Sequence, residues 1–176
     1  KIKSSATSGA KGSHKTPRIF RMPQSYWLMK SEPDAFSLDD LKKSPKKTTT
    51  WEGVRNYQAR NIMRDLCKKG DGVLFYHSRT KEPAIVGLAK VVKESYPDHT
   101  QFDPDSPYFD PKATLDNPRW FMVDVQYDSH FKTPVTLAEA KQTEALSNMV
   151  LVNRGRLSVQ PVTAQEWKLI LKMGKR

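Results

Sequence analysis

With one cysteine in 176 residues, Cys67, the chain cannot build an internal disulfide framework or a cysteine-rich zinc site. Its four histidines, His14, His77, His99 and His130, share no helical i, i+4 spacing, which leaves the common zinc signatures unmatched. Eight glycines form neither a P-loop nor a GxGxxG turn. No run approaches eighteen apolar residues, and the first residues show no secretory pattern. These absences lead us to expect a soluble intracellular protein with no membrane partner, no metal and no cofactor.

Acidic residues are missing from the first 24 positions, which hold six of the 30 Lys and Arg residues. The remaining 24 bases face 19 acids, so the rest of the chain holds +5 of the overall +11. A surface that mild suggests moderate attraction to phosphates joined to something more selective. Residues 1–24 are rich in Ser, Gly, Lys and Thr and lack apolar periodicity, so we expect a flexible basic tail there and one domain over residues 25–176.

Tyr26 to Met29 reads as a short strand that stops at Glu32-Pro33. Ser37 with Asp40, Thr136 with Glu139 and Thr163 with Glu166 are capping-box pairs that open three short helices. Ala59, Ile62, Met63 and Leu66 follow the spacing of an amphipathic helix ending at Gly70. Val73–His77 and Ala84–Val92 read as neighbouring antiparallel strands, Trp120–Tyr127 as another, and Met149–Val152 and Leu157–Gln160 as two more around the Asn153-Arg154-Gly155 turn. Residues 97–118 hold five prolines, too many for a central strand, and form a long loop of the kind that often carries function. About five or six strands with short helices predict an α+β fold, a curled mixed sheet or small barrel.

Two sets of residues suggest chemistry. Pro97-Asp98 followed by Asp110-Pro111-Lys112 mimics the acid and lysine arrangement of a metal-dependent nuclease, although Pro111 interrupts the strand such ligands need. The aromatic residues point elsewhere. Trp27, Trp51 and Tyr76 sit beside groups that hydrogen-bond well, a mixture suited to a planar polar ring: a π-face for stacking, polar groups for the base edge, and cations for phosphates. Trp51 is followed by Glu52-Gly53 in a segment without a buried-face period, as expected where backbone turns sharply or approaches a ligand. Trp120 and Trp167, in periodic segments, are assigned to the core, as is Cys67.

Five blocks resemble the signature of the EVE-domain family: Trp27-Leu28-Met29-Lys30-Ser31-Glu32-Pro33, the stretch from Trp51 to Asn61, Phe75-Tyr76-His77-Ser78, Tyr96-Pro97-Asp98, and Arg156 to Pro161. They run in order from about Tyr26 to Ile170. The resemblance implies a PUA-like mixed β-pseudobarrel with short peripheral helices, related to the YTH domains that read methylated adenine in RNA. It also implies a non-enzymatic monomer that reads modified bases, with 5-methylcytosine or 5-hydroxymethylcytosine in DNA favoured and modified RNA as the alternative. In a eukaryote the nucleus is the expected location, otherwise the cytoplasm or nucleoid.

Carried onto this chain, the family pattern makes Trp27, Trp51 and Tyr76 the aromatic wall. Lys30, Ser31, Glu32, Val54, Arg55, Asn56, Gln58, His77 and Ser78 become candidates for the base edge or backbone, and Arg156, Ser158 and Gln160 close the opposite side. Glu52 stands where aspartate is frequent in the family.

Overall fold

The computed structural model describes residues 24–176, so all of the expected basic tail except Gln24 lies outside the described residues. A single six-stranded sheet organises the rest, in the order β2-β5-β4-β3-β1-β6. At its centre β1 (Tyr26–Ser31) runs parallel to β3 (Gly72–His77), which pairs antiparallel with β4 (Ala84–Pro97). The other neighbours, β5 (Phe121–Thr136), β2 (Thr48–Thr50) and β6 (Val159–Val162), join by antiparallel pairing. This is a mixed α+β architecture, as the sequence predicted, built on one open sheet.

Both faces of the central strands are buried, which is why β1 and β3 read as continuous apolar runs. Trp27, Met29, Val73 and Phe75 face one core, while Leu28, Leu74 and Tyr76 face the other. The first core is closed by α1 (Leu38–Lys43) and α2 (Tyr57–Asp65), through Leu38, Leu41, Ala59, Ile62 and Met63. The second is closed by α3 (Leu137–Gln142), α4 (Val150–Asn153) and α5 (Ala164–Met173). Each fully buried side chain of the size of Leu28 or Phe75 contributes about 1.5–3 kcal/mol of apolar transfer energy.

All three capping boxes form, each with reciprocal side-chain and backbone bonds. Other expectations need correction. Met149–Val152 does not form a strand: Val150–Asn153 is one helical turn, tucking Leu151 into the second core. The final strand begins at Val159 and not at Leu157, because pairing with β1 starts opposite Met29. The β5 strand continues nine residues past Tyr127, to Thr136, and its register shifts against β4 let the two bend. Leu66 is 53% exposed, since it caps the end of α2 after the helix has turned away from the core. The short edge strand β2 carries three threonines with no apolar alternation to announce it.

Candidate functional site

Beyond β2 the chain leaves the sheet at Trp51, whose N–H donates to Val123 O at 2.8 Å and whose ring meets Phe75 edge-on at 5.5 Å. Two residues on, Gly53 has φ +81°, the left-handed region. A Cβ there would stand 2.7 Å from the Tyr108 ring, so both the backbone and the packing require glycine. Tyr108 belongs to the proline-rich loop, which folds back over this segment.

Asp98 anchors that loop. Its wholly buried carboxylate accepts from Gly53 N (2.8 Å), Arg55 Nη1 (3.0 Å), Thr100 N (2.8 Å) and Thr100 Oγ1 (2.5 Å). Burial alone would raise its pKa, but the bonds from Thr100, Gly53 and Arg55 outweigh it and hold the group below the ordinary value. Arg55 donates from Nε and Nη2 to Tyr108 O, from Nη2 to Thr100 Oγ1, and from Nη1 to Val54 O and Asp98. Those bonds occupy its five N–H donors, making it a clamp between the Trp51 segment and the loop.

The clamp shapes a cavity of about 470 Å³ at the C-terminal end of β1. Its apolar side is formed by Phe36, Trp51 and Tyr108, and its polar side includes Ser31, Glu32, Thr50 and Ser158. Ser31 Oγ donates to Phe36 O at 2.5 Å and Thr50 Oγ1 to Glu52 at 2.9 Å, which orients both hydroxyls. Tyr108 remains 42% exposed at the mouth, whereas Trp51 is only 7% exposed.

A second cavity, about 760 Å³, shares Lys30, Glu32 and Ser158 with the first. Lys30 stands between them, donating to Gly155 O at 2.6 Å with its Nζ 5.4 Å from the Tyr76 ring centre. Partial burial pushes its pKa down.

The structure thus divides the residues singled out from the sequence. Lys30, Ser31, Glu32, Trp51, Val54, Arg55 and Ser158 surround the first cavity. Tyr76, Ser78 and Arg156 line the second. Asn56 and Gln58 face a smaller hollow of about 330 Å³ by the Arg154–Leu157 turn, where Asn56 Oδ1 caps Ala59 N–H and Gln58 accepts from Arg154.

Three residues reach none of these hollows. Trp27 is 6% exposed and donates from Nε1 to Asp71 at 2.8 Å, so its aromatic face is core. His77 Nε2 accepts from Leu38 N–H at 3.1 Å, and burial lowers its pKa, keeping the ring neutral in that role. Gln160 is fully buried and donates to Leu157 O at 2.8 Å, bracing the turn from beneath.

Of the residues lining the first cavity, sequence reasoning missed Phe36, Thr50 and, above all, Tyr108. The unusual length of its loop was the available signal. The nuclease arrangement is overturned: Asp98 is consumed by the clamp, and Asp110 accepts from Trp120 Nε1 (2.7 Å), Arg119 (3.3 Å) and Lys112 N (2.9 Å). Among the described residues no cluster of three or more His, Cys, Asp or Glu side chains could hold a metal ion.

Comparison with known proteins converges on one family. The EVE-domain family model matches residues 25–173. Thymocyte nuclear protein 1 of Homo sapiens is 47% identical over 178 aligned residues, covering 92% of this chain and 79% of its own. The crystal structure of human THYN1 in complex with 5-methylcytosine-containing DNA superimposes with a TM-score of 0.83 at 48% identity, over 87% of this chain and 99% of that one. A hypothetical protein from Leishmania major superimposes with a TM-score of 0.82 at 53% identity, over 86% and 95%.

Proposed function

The chain belongs to the EVE-domain family, and from that premise we propose that it reads modified DNA by holding a base in the first cavity. The observation that carries this reading is the pairing, in one hollow of about 470 Å³, of an aromatic side with oriented hydroxyl and carboxylate groups. The human relative bound to 5-methylcytosine-containing DNA supports it. In this reading a cytosine leaves the duplex stack and lies against Tyr108 and Phe36, with the Trp51 edge closing the back. Ser31, Glu32, Thr50 and Ser158 meet its polar edge. A methyl group buried there adds on the order of 0.8 kcal/mol, a modest preference resting on sequence-independent phosphate attraction. The protein acts by binding and carries out no chemistry on the base. In a eukaryotic cell it works in the nucleus, as the name of the human relative suggests.

Fluorescence anisotropy at one fixed salt concentration tests the reading, with matched duplexes containing cytosine, 5-methylcytosine or 5-hydroxymethylcytosine and RNA alongside. A reproducible preference for a modified duplex is expected. Tyr108→Ala should weaken that binding about tenfold, the cost of one lost base stack, while Tyr108→Phe stays near wild type. Equal binding to all three duplexes would refute it.

A further inference from the structure

The two large cavities differ in charge. The charged side chains around the first are Lys30, Arg55, Glu32 and Glu52, which cancel. Those around the second are Lys30, Arg79 and Arg156 against Glu32 alone, an excess of two positive charges. Resting on the base-reading proposal, we infer that the second cavity binds the sugar–phosphate unit flanking the extruded nucleotide.

Several features fit this ligand. Tyr76 is 3% exposed and lines the cavity, yet its hydroxyl takes part in no hydrogen bond among the described residues; burial is the sole cause raising its pKa. That oxygen is not one of the fully buried, unpartnered side-chain atoms, so a phosphate oxygen entering the cavity can accept from it. Arg79 is held in the left-handed region at φ +48°, an unfavourable conformation for a residue with a side chain, and its side chain is 82% exposed. Its approach to Glu32, at 3.2 Å, is a surface pair that a phosphate can displace, because a guanidinium donates to two phosphate oxygens at once. Arg156 stands exposed on the turn whose Gly155 carbonyl holds Lys30. Pro83, Leu137 and Leu151 also line the cavity and give it apolar surface that suits a deoxyribose. Because Lys30, Glu32 and Ser158 belong to both cavities, a base in one leaves its own backbone at the entrance to the other.

The test combines the double variant Arg79→Gln/Arg156→Gln with duplexes carrying a neutral methylphosphonate at the linkage 5′ or 3′ of the modified cytosine. Both arginines are exposed, so the variant should melt like wild type. Its affinity is expected to fall about tenfold for modified and unmodified duplex alike, leaving the ratio between them unchanged. The slope of log affinity against log salt should become shallower by about 0.9 for each phosphate that the variant no longer neutralises. One of the two neutral linkages should weaken wild type and leave the variant unaffected, so that the two effects are not additive.

Wild-type affinity and salt slope in the variant would overturn the inference. So would disappearance of the modification preference, which would place the base itself in the second cavity. A wild-type protein without any modification preference refutes the base-reading proposal instead, and a phosphate site then stands or falls on the variant's binding to unmodified duplex. Failure to bind any duplex overturns both.

Discussion

Replacing Asp98 by asparagine puts an amide nitrogen where a carboxylate oxygen accepts two of four bonds. Gly53 N–H and Arg55 point at one carboxylate oxygen, and both Thr100 groups point at the other. With its NH₂ toward Gly53 and Arg55 the amide loses two of the four bonds; turned toward Thr100 it loses the one from Thr100 N, since the hydroxyl can rotate and accept, and in both cases Arg55 is left without its counter-charge. Hydrogen bonds to a charged group are worth about 1.5–3 kcal/mol each, and removing one partner of a buried ion pair costs about 3–5 kcal/mol. We expect Asp98→Asn to destabilise the fold by about 3 kcal/mol, lowering Tm by roughly 6–12 °C for a chain of this size. Urea unfolding should show a lower midpoint at an unchanged slope.

The pH dependence supplies a second readout. A carboxylate whose folded pKa is lowered lends stability above its unfolded value, and that stability drains away as pH falls through the folded one. Wild type should therefore lose more stability than Asp98→Asn as pH drops below about 3.8, the group's ordinary value. Asp40, Asp65 and Asp110 also have lowered pKa values, held down by Ser37, Arg64 and Trp120 respectively, but they are common to both proteins and cancel in the difference. Because the clamp also positions Tyr108, affinity for modified DNA should fall under conditions where the variant is still folded. A loss below about 1 kcal/mol, with an unchanged acid limb, would refute the clamp.

Two further outcomes test other parts of the structure. Trp27→Phe removes the indole donor from Asp71, which is 4% exposed and among the described residues keeps Lys68 N and Ser25 N as partners; about 2 kcal/mol of stability should be lost with no change in modification preference, and a lost preference in a folded variant would return Trp27 to the binding site. The Cys67 thiol is 2% exposed, and burial, aided by Asp71, pushes its pKa up to about 12; alkylation at about pH 8 should proceed only as fast as the protein unfolds, and rapid native labelling would contradict this placement.

Local signals were legible where a short-range rule decides the structure. The capping boxes are such cases, since cap and partner lie three residues apart and need nothing else from the fold. Gly53 was legible as a special backbone position, although its neighbour was not. Met149–Val152 misled because a continuous run of four apolar residues suits a strand or one helical turn equally, and periodicity alone does not choose between them. His77, Trp27 and Gln160 share short segments with residues at the cavities, yet strand alternation and local packing turn their polar atoms toward Leu38, Asp71 and Leu157.

The residues of this chain by themselves determined the family and the α+β class and pointed to the segments that line the candidate cavities, because signature blocks, caps and apolar periods are properties of nearby residues. Tertiary structure alone decided which members of those blocks share a cavity. Asp98 and Arg55 lie 43 residues apart, and Tyr108 meets Gly53 across a loop whose prolines conceal its path. Such contacts arise only when the whole sheet closes, since a buried charge is retained where distant donors converge to satisfy it.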